Sequence, residues 1–173
     1  KKIVITPWGS DIYINKNNIF KKLFIKYIVN KSDFIISDSL KLNETSLSIA
    51  STKKESMVIN FGTDTKKYSS RREIFKNKDN LIYIGTNGAM EKIYDPFTFL
   101  KSALELTKLD SKFRFVMAHD GTLREKILDF IITNNLESKV SLVGKIYGDS
   151  NIDFYNSLDI YVSASLSDGG LSA

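Results

Sequence analysis

Leu81-Ile-Tyr-Ile-Gly85 is an apolar strand pattern that ends in glycine, and the pair Asp95-Pro96 begins a helix shortly after it. The aspartate can cap this helix, and the proline suits its first position. A second strand pattern, Phe113-Arg-Phe-Val-Met-Ala118, follows the helix. A strand, a helix and another strand in this order predict a parallel pair joined by a crossover helix.

The same alternation extends to both sides of this stretch. Further strands are predicted at 2–6, 34–37, 57–60, 140–143 and 159–163, and helices at 16–31, up to about 52, after a capping box at Thr122-Leu-Arg-Glu125, and at 151–157. Between 61 and 80 no apolar period survives, which predicts a linker at 65–79. We therefore predict an α/β protein with two parallel-sheet units, 1–64 and 80–173.

The composition is that of an ordinary soluble globular protein. The 173 residues are 42% apolar and 26% charged, which argues against disorder. The sequence has no cysteine, which excludes disulfides, zinc-thiolate sites and a cysteine nucleophile. Lysines interrupt the longest apolar runs, so no membrane-spanning helix is predicted, and no signal peptide is visible. The net charge of +5 is modest, and no nucleic-acid partner is expected.

Basic charge is concentrated in the helix predicted at 16–31. This span has five lysines and no acidic residue, and its apolar residues recur at helical spacing. These apolar residues are Ile19, Phe20, Leu23, Phe24, Tyr27 and Ile28. Such a helix can lie on an anionic membrane surface. The alternative is a packed helix with a solvated lysine face, which is favoured because such helices are common.

Ligands of open parallel sheets bind at the carboxyl ends of the strands, so the loops after the strands carry the candidate site residues. These loops are 7–11, 85–92, 119–121, 144–148 and 163–171. Glycine-rich turns can hold a phosphate with backbone amides, and Lys92 and Lys145 can add positive charge. Each glycine taken alone is more simply explained as an ordinary turn. No P-loop and no Gly-x-Gly-x-x-Gly sequence occurs, which disfavours simple nucleotide hydrolysis and dinucleotide redox chemistry.

Polar side chains in three of these loops have more than one interpretation each. His119 is the only histidine, and it can bind a substrate, transfer a proton or be structural. Asp168 precedes Gly169 and Gly170, and it can accept hydrogen bonds from a sugar hydroxyl or cap a helix. In the turn Trp8-Gly9-Ser10-Asp11, the serine and aspartate can offer oxygen ligands, or the aspartate can cap the following helix.

Seven segments, most of them at strand ends, follow the order that is found in one enzyme family. They are Ile5-Thr-Pro-Trp-Gly-Ser-Asp-Ile12, Ser32-Asp-Phe-Ile-Ile-Ser-Asp-Ser39, Val58-Ile-Asn-Phe-Gly-Thr-Asp64 with Tyr68, Tyr83-Ile-Gly85 through Lys92, Phe115-Val-Met-Ala-His-Asp-Gly121, Val140-Ser-Leu-Val-Gly144 and Asp159-Ile-Tyr-Val-Ser-Ala-Ser-Leu-Ser-Asp-Gly-Gly170. In this order they resemble the retaining glycosyltransferases of family 4, which have the two-domain GT-B fold. The resemblance covers nearly the whole chain.

The resemblance implies two Rossmann-like domains, both incomplete in this chain. Residues 1–64 would be the later part of the N-terminal, acceptor-side domain, and 65–79 the linker. Residues 80–173 would be the first part of the C-terminal domain, which binds the nucleotide-sugar donor. The family's second acidic residue would fall after Ala173, so the chain is expected to be truncated at both ends and inactive by itself.

The resemblance also assigns roles to the site residues. The implied catalytic residues are Asp168 and Lys92, the acceptor-side residues are Gly9, Ser10 and Asp11, and the donor-binding residues are Gly85, Thr86, His119, Gly144, Lys145, Gly169, Gly170 and Leu171. Thr86 stands where many family members have arginine, so diphosphate binding would depend on Lys92 and on backbone amides. Trp8 stands where many members have histidine, so an acceptor-side histidine is not expected.

The implied reaction is transfer of a sugar, with retention, from a nucleotide diphosphate sugar to an acceptor hydroxyl, in surface polysaccharide or glycolipid synthesis. The donor is a co-substrate, and no cofactor or metal ion is expected. The expected acceptor is a glycan or a lipid-linked glycan, with the protein in the cytoplasm or peripheral at the inner membrane face. A non-catalytic nucleotide- or sugar-binding module on the same fold is the alternative. Donor hydrolysis with little acceptor specificity is a third interpretation.

Overall fold

The structure is a computed structural model that describes residues 1–60, 62–68 and 80–166. The chain divides into two compact units: the described residues up to Gly62 form the first unit, and Thr63–Leu166 form the second. Each unit is built on a parallel sheet with helices, which confirms the predicted α/β class. The predicted domain bounds remain predictions, because most of the predicted linker lies outside the described residues.

Six elements form the first unit. They are β1 (Val4–Ile5), α1 (Ser10–Tyr13), α2 (Ile19–Lys31), β2 (Phe34–Ser37), α3 (Leu40–Ala50) and β3 (Ser56–Val58). The strands form a parallel sheet in the order β1-β2-β3. Ile35 of the middle strand is fully buried in one core cluster with Val29 of α2 and Leu42 of α3. The sheet and its crossover helices therefore share a single apolar core.

The second unit has the larger sheet. Its elements are β4 (Ile82–Thr86), a 3₁₀ turn (Lys92–Tyr94), α4 (Pro96–Leu109), β5 (Phe113–Ala118), α5 (Arg124–Thr133), β6 (Val140–Gly144), α6 (Asp149–Ser157) and β7 (Ile160–Tyr161). The strands are parallel in the order β6-β5-β4-β7. The chain thus moves outward from β4 through β5 to β6, and then returns to the other side of β4. Because the direction of strand addition reverses at β4, a crevice for ligands is expected at its carboxyl end.

The core of the second unit lies around β5. Phe115 and Met117 of this strand are buried with Leu100 of α4 and Ile127 of α5. The rings of Phe99 and Phe115 meet edge to face, with their centroids 5.9 Å apart. Each fully buried side chain of this size contributes about 1.5–3 kcal/mol to folding. This core fixes the strands whose carboxyl ends carry the candidate site.

Most predicted elements are confirmed, with bounds that differ by a few residues. Asp95 caps α4 as predicted, because its carboxylate accepts the Thr98 backbone N–H at 3.4 Å and the Thr98 hydroxyl at 2.7 Å. The segment after β1 is more regular than the predicted turn. There, Ser10 and Asp11 begin the short helix α1, and Gly9 precedes it.

The capping box predicted at the start of α5 is wrong. The helix begins at Arg124, and Leu123 at its cap position makes no side-chain hydrogen bond. Thr122 instead donates its backbone N–H and its hydroxyl to the carboxylate of Glu91. A charged carboxylate is a stronger acceptor than neutral groups. The threonine therefore connects two loops and does not cap the helix.

The apolar face predicted for α2 is also wrong, because other residues of the helix pack in the described part of the chain. Ile25 and Val29, one helical turn apart, are the buried residues of this helix. The six predicted apolar residues are exposed by 69% (Ile19), 80% (Phe20), 60% (Leu23), 64% (Phe24), 61% (Tyr27) and 37% (Ile28). The helix thus packs through a narrower stripe than predicted. None of the helices in the described ranges has the length and apolar character needed to span a bilayer.

Candidate functional site

The carboxyl ends of β4, β5 and β6 carry loops in which the sequence predicts donor binding. These loops are 86–91, 119–122 and 144–148. Gly85 and Thr86 end β4 and are both buried. A Cβ at Gly85 would lie only 2.5 Å from Cδ1 of Leu158. Close packing therefore explains this glycine without a ligand.

The loops after β4 and β5 are joined through their backbones. The Met90 N–H donates to the Asp120 carbonyl at 3.1 Å, and the Leu123 N–H donates to the Met90 carbonyl at 2.9 Å. Gly121 lies directly against the same residue, because a Cβ at this position would be 2.5 Å from the Met90 carbonyl oxygen. A side chain does not fit there without a backbone shift. The two loops therefore form one continuous edge at the carboxyl ends of β4 and β5.

Glu91 and Thr122 join the same two loops through a side chain. One carboxylate oxygen of Glu91, Oε1, accepts the Thr122 backbone N–H at 2.7 Å, and Oε2 accepts the Thr122 hydroxyl at 2.6 Å. The hydroxyl hydrogen bond, followed by the backbone hydrogen bond, lowers the pKa of the Glu91 carboxyl. Both contacts require an acceptor at each oxygen, which the ionised carboxylate provides. The sequence does not reveal this pair, because Thr122 fits the pattern of a helix cap.

His119 directly follows β5, and Gly144 ends β6. Both have left-handed backbone conformations, with φ of 73° and 76°. The His119 N–H donates to the Gly144 carbonyl at 2.6 Å. The imidazole of His119 meets the ring of Tyr147 edge to face, with centroids 6.1 Å apart. A left-handed conformation favours glycine, and histidine is among the other residues that adopt it more often than most. The turn therefore places the only histidine of the chain at the edge where the sequence predicts ligand binding.

Asn87, which the sequence analysis did not single out, lies at the carboxyl end of β4. Its side-chain NH₂ donates to Asn151 Oδ1 at 3.2 Å and to the Tyr155 hydroxyl at 3.0 Å. The Oδ1 atom of Asn87 is buried without a hydrogen-bond partner in the described part of the chain. Buried acceptors of this kind are uncommon. A ligand N–H or hydroxyl at the crevice would supply the missing donor.

Lys92 and Lys145 are exposed, the first in the 3₁₀ turn and the second directly after β6. The residues that follow β7 run beside the 3₁₀ turn, since the Leu166 N–H donates to the Ile93 carbonyl at 2.8 Å. The predicted sugar-binding residues Asp168, Gly169, Gly170 and Leu171 lie outside the described residues. The roles of these four residues and of the two lysines remain predictions.

The predicted acceptor-side residues lie together at the carboxyl end of β1. Gly9 has φ of 116°, a conformation that favours glycine. The Asp11 carboxylate accepts the backbone N–H groups of Gly9 at 2.8 Å and Ile12 at 3.1 Å, and that of Trp8 at 3.1 Å. Asp11 thus stabilises its own turn, while the adjacent Ser10 is exposed. The roles of Gly9, Ser10 and Asp11 towards an acceptor remain predictions.

Comparisons with known proteins agree with this architecture. The chain matches no protein-family model. It is 30% identical over 166 residues to the uncharacterized glycosyltransferase MJ1178 of Methanocaldococcus jannaschii. The match covers 96% of the chain and 43% of that relative. The chain therefore spans less than half the length of the curated relative that it matches.

Several solved structures have a similar fold. TarM of S. aureus, in complex with Fondaparinux, alpha-GlcNAc-glycerol and UDP, has a TM-score of 0.75 at 17% identity, over 98% of this chain and 33% of its own. Anabaena HepE in complex with UDP-glucose has a TM-score of 0.77 at 13% identity, and the match covers 95% of this chain and 47% of HepE. Sucrose-phosphate synthase of Thermosynechococcus elongatus has a TM-score of 0.78 at 16% identity, and the match covers 97% of this chain and 45% of the synthase. The chain therefore has the α/β, parallel-sheet fold of the GT-B glycosyltransferases.

Proposed function

We propose that the protein is a retaining glycosyltransferase of family 4, which transfers a sugar from a nucleotide diphosphate sugar to an acceptor hydroxyl. The observation that carries this proposal is the continuous edge formed by loops 86–91 and 119–122 at the point where strand addition reverses. The amides of Met90, Thr122 and Leu123 have acceptors within this edge, so other backbone amides of the strand-end loops and nearby lysines would face an anionic ligand. Glycosyl transfer needs such a site because a diphosphate must leave with its negative charge stabilised.

The donor diphosphate would be held by Lys92 and Lys145 together with those other backbone amides of the strand-end loops. Thr86 carries no charge, so the two lysines supply the positive side chains in this proposal. Each is exposed and can reach a bound anion. His119, at the end of β5, would contact the same donor. Because lysines and amides supply the positive potential, we expect turnover to continue in the presence of EDTA.

The transferred sugar would be bound by Asp168 and by the turn formed by Gly169, Gly170 and Leu171. A carboxylate can accept hydrogen bonds from two sugar hydroxyls and can stabilise positive charge on the sugar ring. The hydrogen bond between Leu166 and Ile93 supports this part of the proposal, because it holds the preceding segment beside the turn that contains Lys92.

We propose a glycan or a lipid-linked glycan as the acceptor, in surface polysaccharide or glycolipid synthesis. The support comes from the chemistry of the fold's known ligands, since TarM was solved with Fondaparinux and alpha-GlcNAc-glycerol. Gly9, Ser10 and Asp11 would form part of the acceptor side.

We place the protein in the cytoplasm, with peripheral contact to the inner membrane face through α2. This helix combines exposed apolar residues, including Phe20 and Phe24, with lysines and no acidic residue. Co-sedimentation with vesicles of anionic lipid tests the contact. Binding should decrease when Phe20 and Phe24 are replaced by alanine, and equal binding of this variant would contradict the contact.

The proposed activity is tested by release of nucleoside diphosphate from a panel of nucleotide sugars by the full-length protein. We expect release to depend on an added acceptor and the product to keep the anomeric configuration of the donor, measured by NMR. Asp168→Ala should abolish release, whereas Asp129→Ala, at an exposed position of α5, should retain it. Unchanged turnover of the Asp168 variant would count against the assignment.

A non-catalytic nucleotide- or sugar-binding module is the second candidate, and the uncharged Thr86 at the end of β4 favours it. Such a module would bind UDP or a UDP-sugar without releasing nucleoside diphosphate. Binding and turnover measured on the same preparation separate the two candidates.

A further inference from the structure

Asp38 is a buried acid that the proposed chemistry leaves without a role. It follows β2 directly and is only 6% exposed. Its Oδ1 atom is buried and has no hydrogen-bond partner among the residues that the structure describes. An acid oxygen without a donor in such a position is costly. The cost is tolerated most easily where a ligand completes the hydrogen bonding.

The groups around Asp38 come from three elements at the carboxyl edge of the first sheet. The Asn60 side chain, after β3, donates its NH₂ to the Asp38 backbone carbonyl at 2.7 Å. The Tyr13 phenol, at the end of α1, has a hydrogen bond with the Ser39 side chain. Burial raises the pKa of this phenol, and the negative charge of Asp38 adds to the rise. The phenol therefore lies within electrostatic range of the carboxyl group.

This set of groups suits a hydroxylated ligand. Tyr13, Ser39 and Asn60 are neutral, and each can donate or accept a hydrogen bond. A Ca²⁺ or Mg²⁺ site would instead need several oxygen ligands, of which carboxylates are the commonest charged ones. A carboxylate with neutral polar neighbours is able to accept hydrogen bonds from one or two hydroxyls of a sugar ring. The carboxyl ends of parallel strands are also where such sheets bind ligands.

We propose that Asp38 binds a hydroxyl of the acceptor sugar through Oδ1, with Tyr13 as a second contact to the same sugar. This inference rests on the proposed glycosyl transfer, and it adds a specificity-determining residue on the acceptor side. Asp38 does not take part in donor binding. It selects among acceptors by requiring a hydroxyl where its unpartnered oxygen lies.

The test uses the full-length protein, UDP-glucose or another accepted donor, and methyl glycosides of glucose, galactose and N-acetylglucosamine as acceptor probes. Asp38→Asn replaces the carboxylate with an amide of the same shape, and Tyr13→Phe removes the phenol hydroxyl. Asp33→Asn is the matched control, because Asp33 flanks the other end of β2 and its exposed carboxylate accepts the backbone N–H of Ile3 at 2.7 Å. The thermal midpoint of each variant is measured beside its kinetics.

In Asp38→Asn we expect the acceptor KM to rise about tenfold or more, with the donor KM unchanged. Tyr13→Phe should raise the acceptor KM less, and Asp33→Asn should not change it. Monodeoxy versions of the best methyl glycoside identify the hydroxyl concerned. Removal of this hydroxyl should raise the acceptor KM of the wild-type protein about tenfold and should change that of the Asp38 variant little.

An acceptor KM that is unchanged in Asp38→Asn would overturn this inference while leaving the proposed transferase intact. A lower thermal midpoint with equal changes in the donor and acceptor KM would also overturn it, because that result describes a structural residue. Failure of the wild-type protein to release nucleoside diphosphate with any donor and acceptor would overturn the proposed function and this inference together.

Discussion

The carboxylate of Glu91 binds Thr122 with both of its oxygens, accepting the backbone N–H at 2.7 Å and the hydroxyl at 2.6 Å. The two residues belong to loops that follow different strands, β4 and β5. Together with the backbone contacts of Met90, they set the shape of the edge proposed to bind the diphosphate. The proposed donor site thus depends on a contact between residues that are distant in the sequence.

Removal of the Thr122 hydroxyl should loosen this edge. In Thr122→Val we expect the donor KM to rise about three- to tenfold, because one of the two hydrogen bonds to Glu91 is lost. Thr122→Ser keeps the hydroxyl and should restore the wild-type donor KM. Steady-state kinetics of the full-length protein, at saturating acceptor, measure both values.

Thr107→Val provides a control for general loss of stability. The Thr107 hydroxyl donates to the Leu104 carbonyl at 2.9 Å near the end of α4, away from the carboxyl ends of the strands. This variant should leave the donor KM unchanged. An equal rise of the donor KM in both valine variants would contradict a specific role for Thr122.

The Glu91 contact should also depend on pH. Its carboxyl pKa is lowered in the folded protein by the hydrogen bonds from the Thr122 hydroxyl and then the Thr122 backbone. A lowered folded pKa means that the stabilisation is present above the unfolded value, about 4.3, and is lost as the pH falls through the folded value. The melting temperatures of wild type and Glu91→Gln should therefore converge as the pH falls below about 4. A constant difference across this range would contradict the prediction.

The sequence predicted the fold well because its signals are local. The pair Asp95-Pro96 gives the start of α4, and the apolar runs at 34–37 and 113–118 give two strands with their observed bounds. The predicted capping box failed because Thr122 has a competing partner, Glu91, that no local pattern reveals. The prediction of the apolar face of α2 failed for a similar reason, because helical periodicity does not show which residues contact the sheet.

The close fit of Gly121 against Met90 gives a test of the packing. A Cβ at Gly121 would lie 2.5 Å from a backbone oxygen, which a side-chain rotation cannot relieve. Gly121→Ala should destabilise the protein by about 1–3 kcal/mol, as measured by calorimetry. Gly62→Ala is the matched control, because a Cβ there has no heavy atom of the described residues within 4 Å. Equal stability of the two variants would show that the loops do not pack as described.

The two lysines give a test of charge at the donor site. Lys92→Ala and Lys145→Ala should each weaken UDP binding about tenfold or more, as measured by titration calorimetry. Lys101→Ala removes an exposed lysine from α4 and should leave UDP affinity unchanged. If all three variants bind UDP with equal affinity, Lys92 and Lys145 do not belong to the proposed site.

The candidate site was only partly predictable from the sequence. Position after a strand singles out His119, Lys92 and Lys145 as candidates, because loops at the carboxyl ends of parallel strands follow directly from the element order. Their roles remain predictions. Asn87 and Asp38 were missed, since their distinguishing property is a buried oxygen without a donor. That property belongs to the packed structure and has no counterpart in residue type or spacing.

Hydrogen exchange of the full-length protein with and without UDP tests most directly whether the edge of the second unit binds the nucleoside diphosphate. We expect protection in peptides that cover 86–92, 119–123 and 144–147, with GDP and ADP as comparison nucleotides. Protection should be reduced in Lys92→Ala at the same UDP concentration. Binding of UDP without protection of these three segments, or with protection confined to residues 1–60, would contradict the proposed donor site.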